Sequence, residues 1–313
     1  MFTPELSLPS YAKINWSLHV LGKRPDGYHE IRTLLQTVTA HDDLHFRRDT
    51  KRITLDCEHP DVPSDETNLV VRAAHLLQRF GADLGAKIRL EKRLPPKGGL
   101  GGASSNAAVT LIALARLWEL DLSPHQLMEL GSELGADVPF FFVGGLAFGA
   151  GTGTHITPVA DCAQKKLIII TPTATVSTRD AYAALNSPAL TTQDPPLILA
   201  NSFTRANSDQ SDQWPLYNDF EKVIFEIEPE IKRVQKSLLD AGAQGVLLAG
   251  SGSSVFGIFE NVETQRRALD MIQAEAGWRI FACDTLSRDE YLRAMSPGGT
   301  FLRSSVTKFD SGA

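Results

Sequence analysis

From Tyr11 to Val20 the chain alternates without a break. Ala12, Ile14, Trp16, Leu18 and Val20 are apolar, and Lys13, Asn15, Ser17 and His19 are polar. A period of two predicts a strand with one buried face, and it sends Lys13 and Asn15 into one space on the other face. Pro25, Asp26 and Gly27 in "GKRPDGYHEI" then supply turn chemistry. Shorter strands are predicted over Asp43–Arg47, Ile53–Cys57 and Lys87–Lys92. Between them the period becomes helical. Leu69, Val70, Ala73, Leu76, Leu77 and Phe80 form one stripe, with Thr67 or Asp65 placed to cap it and Gly81 to end it. A second helix is predicted from about Ser104 to Leu120. A third opens at Ser123, with Pro124 in its first turn, and ends near Gly135. "GGLAFGAGTGTHITPV" reads as two glycine-interrupted strands.

Beyond Lys165 the pattern restarts with the strand "KLIIITPT" and a short helix at "TRDAYAAL". Ser187 to Trp214 is polar and rich in Pro, Asn, Ser and Asp, as in a long loop or a partly disordered connection. A helix from Asp219 to Leu239 follows, then the strands "GVLLAGSG" and "SSVFGIF", a helix from Val262 to Glu275 and a last strand, "RIFACD". The expected organisation is a first domain over residues 1–157, a second over 158–295, and a disordered tail over 296–313.

Composition narrows the choices. With 313 residues, 42% of them hydrophobic, the chain can bury a sizeable core. The formal charge of −6 disfavours nucleic acid as the main partner. Cys57, Cys162 and Cys283 are far apart and suggest neither a zinc site nor a disulfide framework. The N-terminus has no basic segment leading into an apolar run, and "KLIII" and "GVLLAG" fall far short of the ~20 residues of a membrane helix. A soluble cytoplasmic protein with no membrane partner is expected.

The densest signal is "GGLGGASSNAAV", Gly98 to Val109. It is not a Walker A loop, since no G-K-[ST] closes it, and Ser104 stands where a dinucleotide fingerprint has its third glycine. Small residues ahead of a helix still let backbone N–H groups converge at the positive helix end, a bowl suited to a polyphosphate. The alternative is a tight turn that packs helix on strand. Asp137 in "LGADVPFFF" is either a helix cap or a chemically positioned acid. "PDGYHE" is a surface turn or an aromatic and imidazole pair for a ligand. "AGSGSSVFGIF" is a second small-residue loop or a plain hairpin turn, and "GAGTG" is a weaker case of the same kind. Taken alone, Lys13 reads as a solvated surface residue.

Taken together and in this order, "PSYAKINWSLHVLGKRPDGYHEIRTL", "LPPKGGLGGASSNAA" and "LLAGSGSSVFGIF" resemble the three signature motifs of the GHMP kinase superfamily. A-K-I-N followed by G-x-R-x-D-G-Y-H, with "LGADVPFF", is similar to its 4-diphosphocytidyl-2-C-methyl-D-erythritol kinase branch. The likeness runs from about Pro9 to Asp284. It implies an α+β fold of two domains, the first like ribosomal protein S5 and the second ferredoxin-like, with the active site in the cleft between them. The implied reaction is transfer of the ATP γ-phosphoryl group to the 2-hydroxyl of 4-diphosphocytidyl-2-C-methyl-D-erythritol, a step of non-mevalonate isoprenoid precursor synthesis.

By this resemblance Asp137 is the base for the hydroxyl proton, and Lys13 pairs with it and stabilises charge during transfer. Pro95, Pro96, Lys97, Gly98, Gly99, Leu100, Gly101, Gly102, Ala103, Ser104 and Ser105 form the ATP phosphate loop, with Asn68 and Lys92 near adenine. Asn15, Tyr28 and His29 take the cytidine-diphosphate end, Thr178 closes on substrate, and Gly250, Ser251 and Gly252 lie behind the transferring phosphate. Mg²⁺ accompanies ATP, with no protein ligand assigned beyond Ser104 or Ser105. Lys97 departs from the small residue usual in relatives, and Ala103 from a frequent glycine. The alternatives are a mevalonate- or homoserine-type kinase of the same superfamily, or a catalytically silent nucleotide- or sugar-binding regulator. A monomer or weak homodimer is expected.

Overall fold

Strand β1 (Glu5–Lys23) and strand β2 (His29–Asp49) form a long antiparallel hairpin around the predicted turn. In this computed structural model residues 5–81, 83–190 and 216–296 are described. Of β2, the sequence pattern predicts only Asp43–Arg47. Leu34, Leu35, Gln36, Thr37 and Val38 are all buried, so both faces of the strand are covered and no alternation survives. Strands β3 (Ile53–Asp56), β4 (Gly85–Glu91), β5 (Leu146–Gly151), β6 (His155–Pro158) and the short β8 (Tyr217–Asn218) complete a seven-stranded sheet. Its main path is β3-β4-β2-β1-β8, with β5 on β2 and β6 on β5.

Helices α1 (Leu69–Gln78), α2 (Gly102–Leu117) and α3 (Pro124–Leu134) cover one face of this sheet around Leu44, Phe46, Ile88 and Leu90. The cap of α1 is Asn68, whose Oδ1 accepts from Val70 N–H at 2.9 Å; Asp65 instead accepts from Thr67, and the helix stops at Arg79 before Gly81. In α2 the helix begins two residues before the predicted Ser104. α3 starts as expected, with a reciprocal capping box between Ser123 and Gln126.

The other face carries Ala12, Ile14 and Trp16 against Leu167, Ile169 and Phe256 of a second, four-stranded antiparallel sheet. That sheet runs β11-β7-β10-β9, from β7 (Lys166–Thr171), β9 (Gly245–Leu248), β10 (Val255–Phe259) and β11 (Arg279–Asp284). Leu167 and Ile169 face the first sheet while Ile168 and Ile170 face helices, which is why "KLIII" has no polar side. Helices α4 (Thr178–Leu185), α5 (Glu221–Ile227), α6 (Pro229–Asp240) and α7 (Val262–Met271) belong to this half. The helix expected over Asp219–Leu239 is divided, because Pro229 has no N–H to continue it and Glu228 leaves the helical region at φ −130° and ψ 83°.

The expected division at Thr157 falls within β6. Two later segments return to the first half. β8 pairs with Ser17 and Leu18, and helix α8 (Arg288–Met295), unmarked in the sequence pattern, buries Tyr291, Leu292 and Met295 in the first core. Most of the polar segment Ser187 to Trp214, and the tail beyond Ser296, lie outside the described residues. Among the described residues no helix is long and apolar enough to cross a membrane.

Candidate active site

The glycine loop is wedged between β1 and the turn after β9. Lys13 N–H donates to the Leu100 carbonyl at 2.9 Å, and Ser254 N–H donates to Gly98 O at 3.1 Å. At Gly99 (φ +75°) an added Cβ would lie 2.0 Å from Ala249 O. At Gly101 (φ +68°) it would lie 2.9 Å from Lys13 Cγ and 3.0 Å from the Phe141 ring. Only glycine fits these approaches. From the facing turn, a Cβ on Gly250 would come within 2.9 Å of Gly99 O and 3.2 Å of Lys13 Nζ. Asn218 holds that turn by donating from Nδ2 to Leu248 O at 2.9 Å and Gly250 O at 2.8 Å. The two glycine loops thus close over Lys13.

Lys13 is correspondingly 4% exposed, not the solvated surface residue that its strand position alone suggests. A buried ammonium needs partners, and the polar face of β1 supplies them in series. Lys13 Nζ donates to Asn15 Oδ1 at 2.9 Å, Asn15 Nδ2 donates to Thr33 Oγ1 at 2.7 Å, and the Thr33 hydroxyl donates to Ser17 O at 2.7 Å. Asp137 Oδ2 stands 3.7 Å from the same Nζ. Asp137 precedes a 3-10 helix (Val138–Phe142), yet its side chain makes no capping hydrogen bond. Its carboxylate is 42% exposed and lines the cleft.

A cleft of about 400 Å³ runs along this loop. Every residue from Pro95 to Ser104 lines it, together with Lys13, Asn15, Asp137, Thr178, Gly250 and Ser251. Ser105 does not. It is fully buried, and its hydroxyl accepts from Ser10 Oγ at 2.7 Å. Gly252 also lies outside the lining and shapes the turn through its N–H, which donates to Ala249 O at 2.9 Å. Asn68 and Lys92 line the far end with their polar groups engaged. Asn68 caps α1 and donates to Pro63 O at 2.7 Å, and Lys92 Nζ donates to the buried Asp42 carboxylate at 2.6 Å. Burial lowers the Lys92 pKa, against the opposing pull of Asp42.

Asp137, Ser104, Thr178, Tyr182 and Ile31 also border a second pocket of about 730 Å³. Tyr28, 66% exposed, and His29 stand on its rim. The His29 ring stacks on Tyr182 at 4.4 Å and 19°. Burial, then the Asp137 charge, push the Tyr182 phenol up to about 12, and burial lowers the His29 pKa. Thr178 Oγ1 reaches Ser251 Oγ at 3.2 Å, joining the start of α4 to the turn after β9 within the second half. Lys23 and Arg179 add positive charge to this pocket. Tyr182, Thr33, Asn218 and Arg179 were not singled out from the sequence. The one available signal was the aromatic in "TRDAYAAL", whose partner lies far away in the chain.

The fold and this cleft define a two-domain small-molecule kinase, and the comparisons agree. Residues 68–145 match the family described as GHMP kinases N terminal domain, and residues 196–277 match GHMP kinases C terminal. A 4-diphosphocytidyl-2-C-methyl-D-erythritol kinase of Syntrophus aciditrophicus is 39% identical over 88% of this chain and 98% of its own. A crystal structure of 4-(cytidine 5'-diphospho)-2C-methyl-D-erythritol kinase superposes with a TM-score of 0.72 at 33% identity, covering 90% of this chain and 99% of that one. Homoserine kinase from Cytophaga hutchinsonii, at 21% identity and a TM-score of 0.63 over 90% of this chain and 95% of its own, shares the fold. The chain belongs to the 4-diphosphocytidyl-2-C-methyl-D-erythritol kinase family of GHMP kinases.

Proposed function

We propose that this chain transfers the γ-phosphoryl group of ATP to the 2-hydroxyl of 4-diphosphocytidyl-2-C-methyl-D-erythritol. The observation that carries this reading is the place of the Lys13–Asp137 pair, with Asp137 on the border of both cavities. ATP lies along Pro95–Ser104 with its phosphates on the loop N–H groups and the N-terminal end of α2. The cytidine base lies by Tyr28, His29 and Tyr182, and its diphosphate draws on Lys23 and Arg179. The 2-hydroxyl then sits between them. Asp137 accepts its proton as the oxygen bonds to the γ-phosphorus, and the bond from that phosphorus to the ADP oxygen breaks. Lys13, held by Asn15, stabilises the charge that passes between the two.

Mg²⁺ bound with ATP would neutralise phosphate charge. The oxygen donors fit such an ion, with Ser104 at the mouth of the loop to hold it, whereas Ser105 is turned away to Ser10. We place the chain, as a monomer or weak homodimer, in the cytoplasm.

The test is ADP release with ATP and Mg²⁺, with and without the cytidine-diphosphate acceptor, and with mevalonate and homoserine in parallel. Turnover with the first acceptor alone is expected. Turnover with another alcohol keeps the phosphate loop and the Lys13–Asp137 pair but rejects the substrate pocket. No turnover with any acceptor, from a folded chain that binds ATP, turns the reading toward a regulator.

A further inference from the structure

Strand β8 is short, yet the segment around it, Tyr217 to Glu221, is tied to two walls of the site. Toward β1, Tyr217 and Asn218 pair with Ser17 and Leu18. Asp219 N–H donates to Leu18 O at 3.0 Å, and Asp219 Oδ2 accepts from Val20 N–H at 2.8 Å. Toward the turn after β9, Asn218 Nδ2 donates to Leu248 O at 2.9 Å and to Gly250 O at 2.8 Å. Glu221 Oε1 accepts from Leu248 N–H at 2.9 Å. The segment is thus a strap between the strand that carries Lys13 and the turn that covers it.

Asparagine suits position 218 for a chemical reason. The carbonyls of Leu248 and Gly250 converge on one spot, and a carboxamide offers two N–H donors on a single uncharged nitrogen. Its oxygen is used as well, accepting from Phe220 N–H at 3.0 Å. The carboxamide is buried, as are Leu248 and Gly250, so losing its donors is unfavourable. Asn218 itself lines neither cavity, so its effect on a reaction there must pass through the turn. Gly250 does line the cleft, and a Cβ on it would lie 3.2 Å from Lys13 Nζ. With so little clearance, a shift of the turn either crowds the ammonium or opens it to water.

We propose that Asn218, assisted by Glu221, is a positioning residue for phosphoryl transfer. By holding the Gly250 turn at a fixed distance from β1, it keeps Lys13 Nζ in place beside Asp137. The inference rests on the proposed reaction, since Lys13 and Asp137 are the groups that the strap positions.

Its test is steady-state and single-turnover kinetics of the full chain with ATP, Mg²⁺ and the cytidine-diphosphate acceptor, with Tm and ADP affinity measured alongside. Asn218→Ala should slow phosphoryl transfer about ten- to a hundredfold, with ADP affinity and the KM for the acceptor changed less than about twofold. Asn218→Asp keeps the shape but turns an oxygen toward the two carbonyls, and it should lose at least as much. In a Lys13→Ala background the Asn218→Ala change should cost less than about threefold, because the group it positions is gone. A loss of equal size in both backgrounds, or one that tracks a lower Tm, overturns the inference. If the variants at 218 fail to fold, Glu221 decides. Glu221→Leu should slow transfer, and Glu221→Gln, which keeps an acceptor for Leu248 N–H, should restore it; an unchanged rate in Glu221→Leu overturns the inference. Acceptor-dependent turnover that survives intact in Asn218→Ala overturns this inference alone. An unaltered chain without such turnover overturns it together with the proposed reaction.

Discussion

At the phosphate loop, Gly99 and Gly101 hold left-handed backbone against Ala249, Lys13 and Phe141, and four glycines, 98, 99, 101 and 102, line the cleft. At the second pocket the walls are side chains, Tyr28 and His29 from the β1–β2 hairpin and Tyr182 from α4, and Tyr28 is largely in water. In the first region two loops interlock, through Gly99 against Ala249 and Gly250 and through the Ser254 N–H bond to Gly98 O. The second is assembled from segments on different halves. On the proposed function, the glycine loop would recognise the phosphates of ATP, whereas the rings on separate elements would select the acceptor. Asp137 and Lys13 stand where the two regions meet.

Changes at the junction should have the largest effect. Asp137→Asn removes the proton acceptor and leaves both cavities lined, so kcat should fall by about 10²–10⁴ with ADP affinity kept, as single-turnover kinetics and calorimetry will read. At the loop, Gly99→Ala forces a Cβ toward Ala249 O. It should cost about 1–3 kcal/mol of stability in denaturant titration and raise the KM for ATP. At the second pocket, Tyr182→Ala should raise the KM for the cytidine acceptor about tenfold without changing that for ATP, and Tyr182→Phe should restore it.

The smallest effect is alkaline. The Tyr182 phenol is raised above its ordinary value of 10.0 to about 12, chiefly by burial. A raised acid favours the folded state while it stays protonated. Its contribution is therefore complete below pH 10 and lost as pH climbs through about 12. Denaturation curves over that window should be shallower in pH for Tyr182→Phe than for the unaltered chain.

The two regions also differ in how much of them the sequence reveals. Glycines at 98, 99, 101 and 102 leading into a helix announce a backbone bowl, because only a left-handed or crowded path needs them. The polar face of β1 likewise directs Lys13 and Asn15 to one side. What it cannot show is that Lys13 is buried, since the covering Gly250 lies more than two hundred residues away. The stacking of His29 on Tyr182 is equally non-local. The resemblance puts Asn68 and Lys92 near adenine, and their polar groups hold α1 and Asp42. The strand β2 hid its length by being buried on both faces. In α8, Arg288, Asp289 and Glu290 open a helix whose apolar residues reach the core under the first sheet, far away in the chain.

The most direct measurement is a crystal structure of the chain with a non-hydrolysable ATP analogue and the cytidine-diphosphate acceptor together. The account predicts the acceptor hydroxyl about 2.6–3.2 Å from an Asp137 carboxylate oxygen, facing the terminal phosphate, with the base beside Tyr182. An acceptor hydroxyl remote from Asp137, or a cytidine base lodged at the Asn68 end of the cleft, would contradict it.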